Sequence, residues 1–144
     1  MKGLEVIGSY LDEWNIVTIT VRLILAVVCG GAIGLTRSVK RRGAGFKTHA
    51  LVCLGSALVM MTGQYIYVDF GAISDIARLA AQVISGVGFL GVGTIMVTRD
   101  NHVKGLTTAA GLWTCAGIGL SIGIGFYSGA AITTILVLVI YRFM

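Results

Sequence analysis

The chain has 144 residues, of which 56% are hydrophobic and 12% charged, with a mean hydropathy of +0.92 and a formal net charge of +5. A soluble domain is about a quarter charged, so this composition excludes an ordinary soluble protein and indicates a membrane protein. The basic residues form no face interleaved with aromatic residues, which argues against nucleic-acid binding. We find no catalytic triad, zinc-ligand spacing or phosphate-binding loop in the sequence, and therefore predict no enzyme activity, cofactor or metal site.

Residues 1–15 are polar and slightly acidic, and they lack the positive first segment of a signal peptide. Their apolar residues recur at helical spacing and predict a short interfacial segment: Leu4, Ile7, Leu11 and Trp14. Residues 16–36 form the first predicted span, because about 20 apolar residues cross a bilayer. Within it, we interpret Arg22 as an anchor that reaches the interface, and Gly30 and Gly34 as a GxxxG site for close helix packing.

The segment 37–47 carries five basic residues and no acidic residue: Arg37, Lys40, Arg41, Arg42 and Lys47. The positive-inside rule places this loop in the cytoplasm, and the loop could also contact anionic lipid headgroups. The second predicted span covers 48–67, and Lys47, Thr48 and His49 lie at its cytoplasmic mouth. These three are either a plain helix start or, together with Arg37, a patch that senses a partner or pH.

The third predicted span covers 75–97, with Ser74 as its N-cap. Asp75, Arg78 and Gln82 share one face of this helix at its external end. Two interpretations are open for them: an Asp75–Arg78 pair that anchors the helix end, or an entrance for an external cation or proton. Four glycines follow in the middle of the span and predict a seam for close helix packing: Gly86, Gly88, Gly91 and Gly93.

A polar turn at 98–105 leads to the fourth predicted span, 106–125. Thr107 and Thr108 open this span, either as helix-capping hydroxyls or as the lining of a polar path. Trp113 is predicted to pack as a wedge against the glycines of the third span. Small residues recur every four positions in two stripes. One is Gly111, Cys115, Gly119 and Gly123 on the fourth span; the other is Gly117, Ser121, Gly125 and Gly129, which runs past the end of that span.

The fifth predicted span, 128–144, ends where the chain should emerge into the cytoplasm. The fold class is therefore an all-α membrane protein, in one domain, with five transmembrane helices. The N-terminus is predicted outside and the C-terminus in the cytoplasm, because basic loops fall on one side and acidic segments on the other.

Four ordered pieces of the chain resemble the MgtC/SapB family of bacterial inner-membrane proteins. They are GGAIGLTR at 30–37, AGFKTHALV at 44–52, DIARLAAQVISGVGFLGVGTI at 75–95 and GLTTAAGLWTCAGIGLSIGIG at 105–125. Two positions depart from the family pattern: Thr36 stands where the family has glutamate, and Lys47 where it often has arginine. The first change puts in doubt any carboxylate–arginine pair assumed for relatives. Many relatives also continue into a cytoplasmic domain that is absent from these residues.

The resemblance implies a multi-pass protein of the bacterial inner membrane, linked to growth at low magnesium, acid tolerance and virulence. It implies a regulator of other membrane machinery, including the F-type ATP synthase. From the residues themselves, the alternatives are a small oligomeric ion transporter or channel, expected to be a homodimer or larger, and a lipid sensor acting through the segment 37–47.

Overall fold

The computed structural model describes residues 15–39, 43–70 and 75–143. Five helices run through these residues: α1 Ile16–Val39, α2 Phe46–Phe70, α3 Ile76–Val92, α4 Leu106–Gly123 and α5 Tyr127–Phe143. The prediction of an all-α membrane bundle with five helices is confirmed. The interfacial segment, the Ser74 cap and the middle of the basic loop lie outside the described residues. The orientation of the termini stays a prediction.

The helices are not equally long. Three of them are long and apolar enough to cross a membrane: Ile16–Val39, Phe46–Asp69 and Leu106–Gly123. The helices α3 and α5 are also apolar but have 17 residues each, which is the lower limit for a spanning helix.

The end of α3 differs from the prediction, because the helix stops at Val92 and not at residue 97. A short antiparallel hairpin follows, in which β1 (Met96–Val97) pairs with β2 (Val103–Lys104). The apolar residues of β1 look like a continued span in the sequence. Gly105 ends this hairpin with a positive φ of +98. A Cβ at this position would collide with the Thr94 carbonyl oxygen.

Glycines bring α1, α2 and α4 together along their backbones. A Cβ at Gly30 would meet the His49 carbonyl oxygen, and one at Gly34 would meet the Gly45 carbonyl oxygen. On α4, a Cβ at Gly119 or Gly123 would likewise collide with backbone carbonyl oxygens of α2. These close approaches put α2 and α4 at the centre, with α1 against both and α3 and α5 on opposite sides.

The centre of the bundle is filled mainly by small and branched apolar side chains: Ala26, Ile33, Cys53, Ala57, Cys115, Ile118 and Ile122. Two of the three free cysteines, Cys53 and Cys115, lie in this core. Two arginines are buried as well, Arg22 at one end of the bundle and Arg37 at the other. We call these the Arg22 end and the Arg37 end; α1 and α5 finish, and α2 and α4 begin, at the Arg37 end.

Candidate functional site

Arg37 is the centre of a buried polar cluster at the Arg37 end. The side chain is only 7% exposed, although it lies in the last turn of α1. Its Nη2 donates a hydrogen bond of 2.6 Å to Oγ1 of Thr108, in the first turn of α4. Its guanidinium carbon also lies 4.8 Å from the centroid of the Tyr141 ring, near the end of α5. The cluster therefore joins three helix ends around one permanent positive charge.

His49 belongs to the same cluster and is fully buried in the first turn of α2. Its Nδ1 lies 2.9 Å from the Gly45 carbonyl oxygen. Because a carbonyl oxygen only accepts, Nδ1 carries a hydrogen, and in the neutral ring Nε2 is the acceptor. Within the described residues, His49 Nε2 and Arg37 Nε are the two buried side-chain nitrogens that have no hydrogen-bond partner. The cluster thus contains one hydrogen-bond donor, Arg37 Nε, and one acceptor, His49 Nε2, that have no partner in the described residues.

Gly111 makes room for this cluster on α4. A Cβ at this position would collide with the Tyr141 hydroxyl and would lie 3.4 Å from His49 Nε2. The Tyr141 hydroxyl donates to the Thr107 carbonyl oxygen at 3.3 Å, which ties the end of α5 to the start of α4. Gly111, which the sequence analysis assigned to close helix packing, therefore also leaves the space that the polar cluster occupies.

Arg22 forms a second buried cluster, at the opposite end of the bundle. It is 3% exposed, with Nε donating to the Tyr127 hydroxyl at 3.0 Å. Its Nη1 donates to the Gly123 carbonyl oxygen at 2.8 Å and to Gln64 Oε1 at 3.3 Å. Acceptors from α2, α4 and α5 satisfy the guanidinium between the helices, which the interpretation of Arg22 as an interfacial anchor did not predict.

The residues predicted for the cytoplasmic mouth and for the start of the fourth span divide into two groups. Arg37, His49 and Thr108 come together in one cluster, with Thr107 contributing its backbone carbonyl. Lys47 and Thr48 are exposed instead. Successive helical residues point about 100° apart, so Thr48 and Lys47 lie about 100° and 200° around α2 from the buried His49. Tyr141 was not selected from the sequence, because an aromatic residue in an apolar run carries no signal of its partner.

The polar residues at the start of α3 are also exposed on the surface of the bundle. Asp75, Arg78 and Gln82 are all exposed, and the described residues contain no ion pair between Asp75 and Arg78. Asp75 has extended backbone and its Oδ1 accepts from the Ala77 amide at 3.0 Å, so it is the N-cap of α3. The prediction gave that role to Ser74 and put Asp75 in the first turn. A carboxylate and a hydroxyl can both cap a helix, which is why sequence alone did not choose between them.

The predicted glycine seam is mostly open. Nothing lies within 4 Å of a Cβ built at Gly86 or Gly88, whereas Gly91 approaches the Ala109 Cβ at 3.4 Å. Gly93 lies just after the last turn, and its amide caps the end of α3. Trp113 is 51% exposed and does not cover Gly86 or Gly88, so the predicted wedge is absent. Trp113 follows the core-facing Gly111 by two positions, about 200° around the helix, and therefore faces outward.

Five apolar helices around a core with a buried arginine at each end define a polytopic α-helical membrane protein. The MgtC family model matches residues 23–144, and the chain belongs to the MgtC family. The predicted family is thereby confirmed.

Three curated relatives show the extent of the similarity. The chain is 47% identical over 94 residues to an Escherichia coli K12 protein named "Putative magnesium transporter YhiD", covering 62% of this chain and 43% of that protein. It is 41% identical over 126 residues to an uncharacterized Haemophilus influenzae protein, covering 84% and 53%. It is 41% identical over 88 residues to Protein MgtC of Salmonella typhimurium LT2, covering 61% and 36%. The chain thus spans about half or less of these relatives, and no solved structure matches it significantly.

Proposed function

We propose that the protein is a regulator of magnesium homeostasis in the bacterial inner membrane, which acts by contacting other membrane proteins. The observation that supports this function best is the pair of buried guanidinium groups, Arg22 and Arg37, at the two ends of the bundle. The link to magnesium comes from the names of the relatives and from the family.

The two arginines oppose passage of a divalent cation through a single bundle. Two unit charges 4 Å apart interact by about 4 kcal/mol at an effective dielectric constant of 20, so a divalent ion beside a guanidinium meets a repulsion of about 8 kcal/mol. Channels use fixed arginines in this way to exclude cations. Among the described residues, no three His, Cys, Asp or Glu side chains cluster to offset that repulsion.

The surface of α3 and α4 is suited to contact with another membrane helix. Gly86, Gly88 and Gly117 leave open space where a second backbone could approach, and Phe89 and Trp113 are exposed beside them in the chain. The family resemblance makes the F-type ATP synthase a candidate partner, and a second copy of the chain is another.

The second candidate function is a small oligomeric magnesium transporter. The printed name of YhiD favours it. In that case the ion would pass between copies of the chain, because each bundle carries its own buried arginines. Asp75, Arg78 and Gln82 are exposed and would then line the space between copies.

A flux measurement separates the two functions. The purified protein is inserted into vesicles that contain a magnesium-sensitive dye, and we expect influx no faster than in protein-free vesicles. The same protein should restore growth at low magnesium to a strain lacking its own copy. A saturable influx that depends on the protein would overturn the regulator and support the transporter.

Contact with a partner is tested by crosslinking in cells. A photo-reactive amino acid at Trp113 should give one reproducible crosslinked species, whereas the same group at Ile132, exposed on α5, should not. Equal crosslinking at both positions, or none at either in cells limited for magnesium, would argue against a partner on the α3–α4 face.

A further inference from the structure

An apolar groove lies at the Arg37 end, between the last turns of α1 and α5. Its walls come from Leu35, Thr36 and Val39 on α1 and from Leu138, Tyr141 and Arg142 on α5, and its volume is ≈ 380 Å³. This volume lies within the range of small-molecule sites in proteins. The groove lies between α1 and α5, whereas α3 packs on α2 and α4.

The groove wall suits a hydrocarbon chain. Leu35, Val39 and Leu138 supply aliphatic surface, and Val39 is 82% exposed. The Thr36 hydroxyl donates to the Ile33 carbonyl oxygen at 2.7 Å, so it is bonded to its own helix. An apolar surface that faces the bilayer is covered by lipid acyl chains unless protein covers it.

The end of the groove is positively charged. Arg142 lies on its rim in the last turn of α5, and Arg37 lies on the ring of Tyr141, which also lines the groove. None of the lining residues is acidic, and in the described part of the chain no carboxylate pairs with Arg37. A ligand seated here therefore meets aliphatic side chains along its length and cations at one end.

We propose that this groove binds an anionic phospholipid. One acyl chain lies along Leu35, Val39 and Leu138, and the phosphate headgroup lies beside Arg142 in the positive field of Arg37. A zwitterionic phospholipid fits the same apolar walls but lacks the net charge that the arginines attract. The site does not involve magnesium, so its occupancy is independent of the function proposed above.

Binding is measured by native mass spectrometry on the delipidated full chain, titrated with phosphatidylglycerol or with phosphatidylcholine of the same acyl chains. We expect phosphatidylglycerol to bind at least fivefold more tightly. Removing the charge with Arg142→Gln should weaken its binding about fivefold, which is the usual effect of one basic residue near an anionic lipid. Phosphatidylcholine binding should be unchanged by that substitution.

The matched control for charge is Lys104→Gln, which removes an exposed basic residue in β2 at the same end of the bundle. It should bind phosphatidylglycerol as tightly as the unaltered chain. An equal loss in Lys104→Gln and Arg142→Gln would overturn the groove, because the attraction would then be that of a diffuse charged surface.

The matched test of shape is Leu138→Trp, which fills the groove, against Ile140→Trp, which adds the same bulk to the exposed face of α5. Leu138→Trp should weaken the binding of both lipids and Ile140→Trp neither. If Leu138→Trp does not fold, Leu35→Trp fills the groove from the α1 side. Unchanged lipid binding with a filled groove would overturn the proposal. A crosslink between the Val39 residues of two copies would overturn it as well, because it would show that a second chain covers the groove.

Discussion

Gly117 and Gly119 lie only two positions apart on α4, but Gly119 is packed against α2 and Gly117 faces open space. A Cβ at Gly119 collides with the Cys53 backbone carbonyl of α2, whereas one at Gly117 has nothing within 4 Å. Because a backbone cannot move aside as a side chain can, Gly119→Ala should lower the free energy of unfolding by about 1–3 kcal/mol. Gly117→Ala meets no such contact and should not lower it, because alanine is the better helix former by about 1 kcal/mol. Denaturant titration of both variants in one detergent checks this, and equal losses would contradict the packing of α4 on α2.

Thr108 is the hydrogen-bond acceptor on which the buried charge of Arg37 depends. Thr108→Val keeps the shape but removes the acceptor, and a hydrogen bond to a charged group contributes about 1.5–3 kcal/mol. We expect a loss of that size in the free energy of unfolding. Thr107→Val is the control, because Thr107 contributes its backbone carbonyl to the cluster and should lose almost nothing. A large effect of Thr107→Val would show that the hydroxyls serve another purpose.

Sequence alone was sufficient to select Arg37, His49 and Thr108, but not to join them. Arginine, histidine and threonine next to an apolar run are unusual enough to be noticed singly. Their contact links positions 71 residues apart in the chain, and it depends on which helices become neighbours. Tyr141 and the buried position of Arg22 were missed for the same reason.

At the scale of the helices, Asp75 controls the start of α3. Asp75→Ala removes the acceptor for the Ala77 amide and should cost about 1 kcal/mol in local stability. Hydrogen exchange of the first-turn amides should accelerate in Asp75→Ala but not in Asp75→Asn, because asparagine keeps the capping oxygen. Equal acceleration in both variants would show that the charge of Asp75, and not its cap, stabilises this end.

The positions of the helices follow from the sequence, because a bilayer leaves the backbone few alternatives to a helix. The predicted spans and the observed helices agree closely except at the end of α3. There the residues of β1 are apolar, and hydropathy does not distinguish a hairpin from a further helical turn. The positive φ of Asn101 and Gly105 closes the hairpin, and both are visible only in the structure.

At the scale of the whole molecule, Arg22 on α1 joins four helices through its hydrogen bonds to α2, α4 and α5. Arg22→Leu removes hydrogen bonds to α2, α4 and α5 and should lower the free energy of unfolding by at least about 2 kcal/mol. Tyr127→Phe removes a single acceptor and should lower it by about half as much or less. The two variants are compared by denaturant titration in one detergent. If Arg22→Leu lowers the free energy of unfolding no more than Tyr127→Phe does, Arg22 does not join the four helices.

The backbone contacts of Gly30, Gly34, Gly119 and Gly123 have a consequence for motion. Where carbonyl oxygens of one helix lie against glycines of the next, sliding either helix would force backbone atoms into collision. The helices α1, α2 and α4 should therefore move as one rigid body. By contrast, α3 rests on α2 through side chains, as where Leu79 covers Gly63, and such contacts can slip by changes of rotamer. These contacts leave α3 freer to move against α2 than α1 or α4 is.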